Sequence, residues 1–175
     1  MSCFVKKFVL RVPDENDKSL YDSHTTAYNG DAGLDLFAAN ETVIAPGQTM
    51  LVDTGVQARC RSVSKCPWHW VTGKVFKYHS YTMMPRSSIY KTPLMLHNSV
   101  GLIDRNYTGN LKMPLRKMSS EPYIVERGVR LCQLVMKDLS SVRCKLEEFS
   151  EKLDCGCCQH NEAFRGDKGF GSSGK

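Results

Sequence analysis

Apolar residues recur at every second position over short stretches of this chain, and turn-forming pairs separate the stretches. Phe4, Phe8, Leu10 and Val12 fall on one face of a possible strand. Met50, Val52, Val56 and Ala58 repeat the two-residue period, and Val142, Cys144 and Leu146 alternate with Arg143, Lys145 and Glu147. Apolar runs at 94–96, 111–115 and 131–136 have strand length. Asn29-Gly30, Pro46-Gly47, Thr72-Gly73, Thr108-Gly109 and Arg127-Gly128 supply the turns between them. No helical period persists for three or four turns. A short helix is predicted after Pro85, with Ser87 or Ser88 as its cap and Pro93 as its stop. Short strands with frequent turns predict a closed or sandwiched all-β domain.

The 175 residues suit one domain and leave no room for a dinucleotide-binding fold beside a second catalytic unit. No apolar run approaches the ~20 residues that span a bilayer. The opening MSCFVKKFVLRVPDEND turns polar too soon for a secretory signal. The expectation is a cytoplasmic or nuclear protein with no membrane partner, in which the 8 cysteines stay reduced. A net charge of +6 draws polyanions, of which a triphosphate is one and nucleic acid another. RSVSK at 61–65, near Trp68, Trp70, Phe76 and Tyr78, has the basic and aromatic make-up of a single-strand groove. Solvated lysines around a hydrophobic hairpin explain the same residues, so nucleic acid is not the expected main partner. Cys60, Cys66 and His69, and then Cys155, Cys157, Cys158 and His160, are residue types that zinc favours. Neither group has a paired CxxC arrangement, and unliganded loop thiols are the preferred reading.

Five segments carry candidate chemistry. AGLDLFA at 32–38 sets Asp35 between apolar neighbours, where an acid is often an edge residue but also suits a metal or its waters. PRSS at 85–88 places Arg86 beside Ser87 and Ser88; a guanidinium, hydroxyls and backbone N–H groups together make a phosphate cradle. GLIDRNYTG at 101–109 displays Asp104 and Tyr107 between glycines. GVRLCQL at 128–134 punctuates a strand with Arg130 and Gln133. RGDKGFGSSG at 165–174 holds too many glycines to order itself alone, yet carries Arg165, Lys168, Phe170, Ser172 and Ser173.

In order and spacing these segments resemble the five motifs of the homotrimeric dUTPase family, from about residue 29 to the last residues. The resemblance implies a dUTPase-like jelly-roll or distorted β-barrel in residues 1–164, with an extended hairpin at 57–84 and a Cys-rich loop at 154–160. Residues 165–175 form a C-terminal arm that crosses to a neighbouring subunit of the homotrimer and closes the active site. It also implies hydrolysis of dUTP to dUMP and pyrophosphate, which limits uracil in DNA and supplies dUMP for thymidylate synthesis.

Under that resemblance Asp104 activates the attacking water and meets the deoxyribose 3′-hydroxyl; a carboxylate of ordinary pKa is ionised for this at neutral pH. Tyr107 packs where a ribose 2′-hydroxyl would protrude. Asn98 and the backbone of Gly101, Leu102 and Ile103 read the uracil edge. Arg86, Ser87 and Ser88 hold phosphates, and Gln133 keeps water and phosphate in register. Arg130 supports the site by pairing with an acid. Asp35 meets Mg²⁺ through water. Phe170 covers uracil, while Arg165, Gly171, Ser172 and Ser173 wrap the terminal phosphates. The chain departs from the family in its long, Cys- and Trp-rich segment before Pro85, in Ser88 for a common glycine and in Ser173 for threonine. Two alternatives remain open: a dCTP deaminase-like enzyme, which would need a further catalytic glutamate, and a regulatory protein on the same scaffold binding RNA or protein.

Overall fold

The computed structural model of the chain describes residues 4–64, 68, 71, 76–149 and 166–169. Strands β1 (Phe4–Arg11), β2 (Gly33–Phe37), β3 (Thr42–Ile44), β4 (Thr49–Asp53), β5 (Gln57–Ser64), β6 (Phe76–His79) and β7 (Tyr81–Pro85) lead into β8 (Leu94–Leu96), β9 (Gly101–Ile103), β10 (Lys112–Lys117), β11 (Tyr123–Val125), β12 (Arg130–Val135) and β13 (Cys144–Leu146). They pair in the orders β13-β1-β5-β6, β2-β12-β7-β9 and β4-β10-β8, with a ribbon of β11 and β3. This is the expected all-β class.

The two-residue period explains the core. Phe8 and Leu10 of β1, Leu34 and Leu36 of β2, Met113 and Leu115 of β10 and Leu134 of β12 all point inward and are buried. Tyr81 ties two sheets together: its ring meets Phe8 edge-on at 5.1 Å, and its hydroxyl donates to the Ala58 carbonyl at 2.8 Å. A buried tyrosine is tolerated because its polar tip has a partner.

Two helical elements differ from the expectation. Helix α1 (Glu15–Tyr21) has 7 residues, too few for periodicity to announce it. Asp14 caps it by accepting from the Asn16 N–H at 2.9 Å, and Arg127 donates to its buried Asp17 at 2.6 Å. After Pro85 the chain forms a 3₁₀ helix over Ser87–Lys91, and the capping position belongs to Arg86 without any side-chain cap bond. Neither serine caps it, which leaves both hydroxyls for other partners.

The basic and aromatic residues of the β5–β6 hairpin stack on one another. Arg59 lies 4.2 Å from the Phe149 ring and 5.8 Å from that of Tyr78; Arg61 lies 4.9 Å from Phe76 and donates to Glu147 at 2.5 Å. Each guanidinium thus rests against an aromatic face, and Arg59 stands opposite the buried Val9 in the β1–β5 register. Cys60 and Cys132 are buried free thiols, pushed up by burial to about 12. Cys66, His69 and the Cys155, Cys157, Cys158, His160 group lie outside the described residues. Among the described residues no helix is long and apolar enough to cross a membrane.

Candidate functional site

The sheet β2-β12-β7-β9 organises the site. Gln133 of β12 stands opposite Asp35 of β2 on one side and Met84 of β7 on the other, so these three side chains share one face. Met83, the next residue along β7, pairs with Gly101 of β9 and Leu134 of β12 and faces the opposite way. Each face borders its own cavity.

The Asp35 face borders a groove of about 570 Å³ lined by Asp35, Arg86, Ser87, Arg130 and Gln133. Nε of Arg86 lies 2.7 Å from one Asp35 oxygen, and Nη1 of Arg130 lies 3.1 Å from the other. Two guanidiniums on one carboxylate leave a net positive charge, which suits an anion in the groove. Arg86 also donates to the Arg130 carbonyl at 3.3 Å and to the Ser88 hydroxyl at 3.4 Å. Ser88 therefore steadies the arginine, while Ser87 lines the groove itself. Gln133 donates to the Pro85 carbonyl at 3.3 Å, and its amide lies across Gly33: a β-carbon there would sit 1.9 Å from Oε1. A side chain at Gly33 would therefore require the Gln133 amide to move aside.

The opposite cavity, of about 200 Å³, gathers Asn98, Gly101, Leu102, Ile103, Asp104 and Tyr107. The Tyr107 N–H closes a turn onto the Asp104 carbonyl at 3.1 Å, and the Tyr107 hydroxyl donates to the Asn110 carbonyl at 2.9 Å. Burial holds the Tyr107 phenol above its ordinary pKa, aided by Asp167 and Asp53, so it stays a donor. Ser99 adopts φ 60, and the tight turn brings the Val100 N–H to the Asn98 carbonyl at 2.6 Å. In the glycine-rich C-terminal stretch, Gly166 pairs with Tyr107 in parallel, and the Thr108 N–H donates to the Gly166 carbonyl at 3.0 Å. Arg165, Phe170, Gly171, Ser172 and Ser173 lie outside the described residues.

Some neighbours of the site have no motif to announce them. His24 reaches the Asp35 carbonyl at 2.7 Å and packs edge-on against Tyr21 and Phe37. Burial lowers its pKa, so the neutral ring donates through Nε2. Thr25, Thr26 and Tyr28 wall the groove, and Leu111 and Lys112 line the opposite cavity.

A deoxyuridine 5′-triphosphate nucleotidohydrolase of Neisseria meningitidis is 34% identical over 169 residues, covering 94% of this chain and 95% of its own. The chain belongs to the dUTPase family. Another family member, from Escherichia phage T5, is 35% identical and covers 82% of this chain and 85% of itself. The dUTPase of Streptococcus mutans superposes with a TM-score of 0.56 at 27% identity, over 74% of this chain and 92% of that one. A mutant dUTPase of phage phi11 of Staphylococcus aureus, whose structure details coordination of a structural Mg(II) ion, shares the fold with a TM-score of 0.54 at 18% identity. It covers 85% of this chain and 99% of itself. A family model described as dCTP deaminase-like matches residues 76–139, which run from β6 to just beyond β12. Both cavities of this dUTPase-family chain draw on that stretch.

Proposed function

We propose that the chain hydrolyses dUTP to dUMP and pyrophosphate, in sites shared between copies of a homotrimer. The observation that carries the shared site is the alternation of Met83 and Met84: the Asp104 cavity and the Asp35–Arg86–Gln133 groove lie on opposite faces of one sheet. One nucleotide cannot reach both faces of one chain, whereas the hairpin of one copy can face the groove of the next. Two unlike surfaces that meet head to tail close into a ring, and threefold symmetry is the smallest ring beyond a pair.

In this reading the small apolar-walled cavity takes uracil and deoxyribose. Backbone groups of Gly101, Leu102 and Ile103, with Asn98, read the base edge, and the Tyr107 ring stands where a ribose 2′-hydroxyl would be. Asp104 accepts a proton from a water whose oxygen bonds to the α-phosphorus. The bond from that phosphorus to the α–β bridging oxygen breaks, and the bridging oxygen leaves on pyrophosphate. Arg86 and Ser87 of the facing copy meet the charge that grows on the leaving group, and Gln133 orients water and phosphate. Asp35 and Arg130 fix the Arg86 guanidinium. The arm closes over the bound nucleotide, and copies exchange arms; each copy offers an identical Tyr107 hairpin, so exchange keeps the same contacts.

Among the described residues no three His, Cys, Asp or Glu converge as a metal cage, and both Asp35 oxygens already face guanidiniums. That donor set suits Mg²⁺ held mainly by substrate phosphates and waters, with Asp35 meeting the waters. When bound, the ion neutralises phosphate charge and helps order the triphosphate. Stacking of Arg59 and Arg61 on their aromatic neighbours favours this reading over a nucleic-acid groove.

The test is pyrophosphate release from dUTP, dTTP, dCTP and UTP with Mg²⁺. The expected result is a kcat/KM for dUTP at least about 10²-fold above each of the others, a discrimination within reach of buried hydrogen-bond readout. Comparable rates on all four would end the specificity claim, and release of ammonia from dCTP would favour the deaminase alternative.

A further inference from the structure

Gly109 is read from the sequence as a turn glycine, yet the chain does not need its backbone freedom there. Among the described residues the glycines with positive φ are Gly30, Gly47, Gly55, Gly128 and Gly166, and Gly109 is not among them. What a side chain there would meet is crowding. A β-carbon at Gly109 would lie 2.7 Å from the Tyr107 hydroxyl, 3.0 Å from the ring carbon that bears it and 3.2 Å from Cα of Asp167. The first two contacts involve the end of a side chain, whereas the third is backbone of the arm. Gly169, a little further along, stands against the other side of the same ring, where a β-carbon would meet Cε2 at 3.5 Å. Residues 166–169 thus lie over Tyr107 and Gly109 together, joined by the Gly166–Tyr107 bridge, and Gly169 forms part of the cavity wall.

We propose that Gly109 is a positioning residue for the C-terminal arm: its bare backbone is the seat on which residues 166–169 dock, and any side chain there lifts the arm off the Tyr107 hairpin. The proposal deepens the reading of the arm as a closing element and rests on it only for the activity readout. The seat also gives Tyr107 two neighbours with one ring, since the same ring borders the cavity and carries the arm. Closure of the arm is thereby coupled to the placement of the ring that would meet the sugar.

The direct readout is trypsin cleavage after Lys168, an exposed residue in the docked stretch. Cleavage requires the stretch to detach, so its rate follows the undocked population. Gly109→Ala is expected to speed release of the last seven residues about tenfold over the unchanged protein, with an unaltered thermal melt. In the double variant Tyr107→Phe/Gly109→Ala the hydroxyl contact is gone while the ring-carbon and Asp167 contacts remain, so release stays fast. In kinetics, Gly109→Ala lowers kcat/KM for dUTP toward that of a chain ending at Phe164, and it causes no further loss within that shortened chain.

An unchanged cleavage rate overturns the proposal. So does recovery of slow cleavage in the double variant, which would trace the effect to the Tyr107 hydroxyl alone. An equal kinetic loss in the shortened chain, or an alanine variant that fails to fold, would show that the glycine serves the hairpin rather than the arm. Should neither protein hydrolyse dUTP, the proposed function fails while the cleavage rates still decide whether Gly109 seats the arm.

Discussion

Replacing Asp104 by asparagine is expected to lower kcat for dUTP by roughly 10²–10⁴-fold, the scale of a positioned general base. Asparagine has nearly the same shape, and the backbone bond across that turn, from the Tyr107 N–H to the carbonyl of residue 104 at 3.1 Å, does not use the carboxylate. What is lost is the capacity to take a proton from water. The cavity walls from Gly101 to Ile103 are untouched, so KM should move little and the loss should sit in kcat. Steady-state rates with Mg²⁺ check this, and near-normal turnover would remove Asp104 from the role.

Arg86→Ala is expected to cost roughly 10²–10³-fold in kcat, the scale seen when one donor to developing charge is removed. The arginine reaches Asp35 at 2.7 Å, the Arg130 carbonyl at 3.3 Å and Ser88 at 3.4 Å, so its guanidinium is held before any phosphate arrives. Without it, Arg130 is the cation left on Asp35 among the described residues, and the net charge of this group falls from positive to neutral. KM should rise as well, since in the proposed site ground-state phosphate binding uses the same cation. Lysine at this position keeps the charge but not the planar fork, so its rate should fall nearer to alanine than to arginine. A kcat within about threefold of normal for Arg86→Ala would place the phosphate contact elsewhere.

Much of the fold was legible because its determinants are local. Alternation at Phe8 and Leu10 sets the inward face of β1, and Gly47 and Gly128 mark turns that require positive φ. Helix α1 was not legible, because its hold comes from Arg127 and Thr54 far along the chain: Arg127 grips Asp17, and Tyr21 donates to the Thr54 carbonyl at 2.9 Å. The candidate site was legible as residue types in motifs, but its geometry was not. Neighbouring Met83 and Met84 belong to different cavities, and only the strand register reveals it. His24 carries no motif, and its bond to the Asp35 carbonyl depends on a loop returning to β2. Gly109 looked like an ordinary turn glycine until the arm was placed over it.

The central claim is that the Asp104 cavity of one copy works with the Arg86 groove of another. Mixing chains that carry Asp104→Asn with chains that carry Arg86→Ala, after unfolding and refolding them together, tests it most directly. A parallel mixture of Asp104→Asn chains with chains ending at Phe164 reads arm exchange in the same way. In the first mixture some trimers hold an intact Asp104 facing an intact Arg86, so activity on dUTP should rise well above that of either variant alone. Activity no greater than the average of the two inactive proteins, in mixtures proven to contain hybrid trimers, would contradict a site shared between copies.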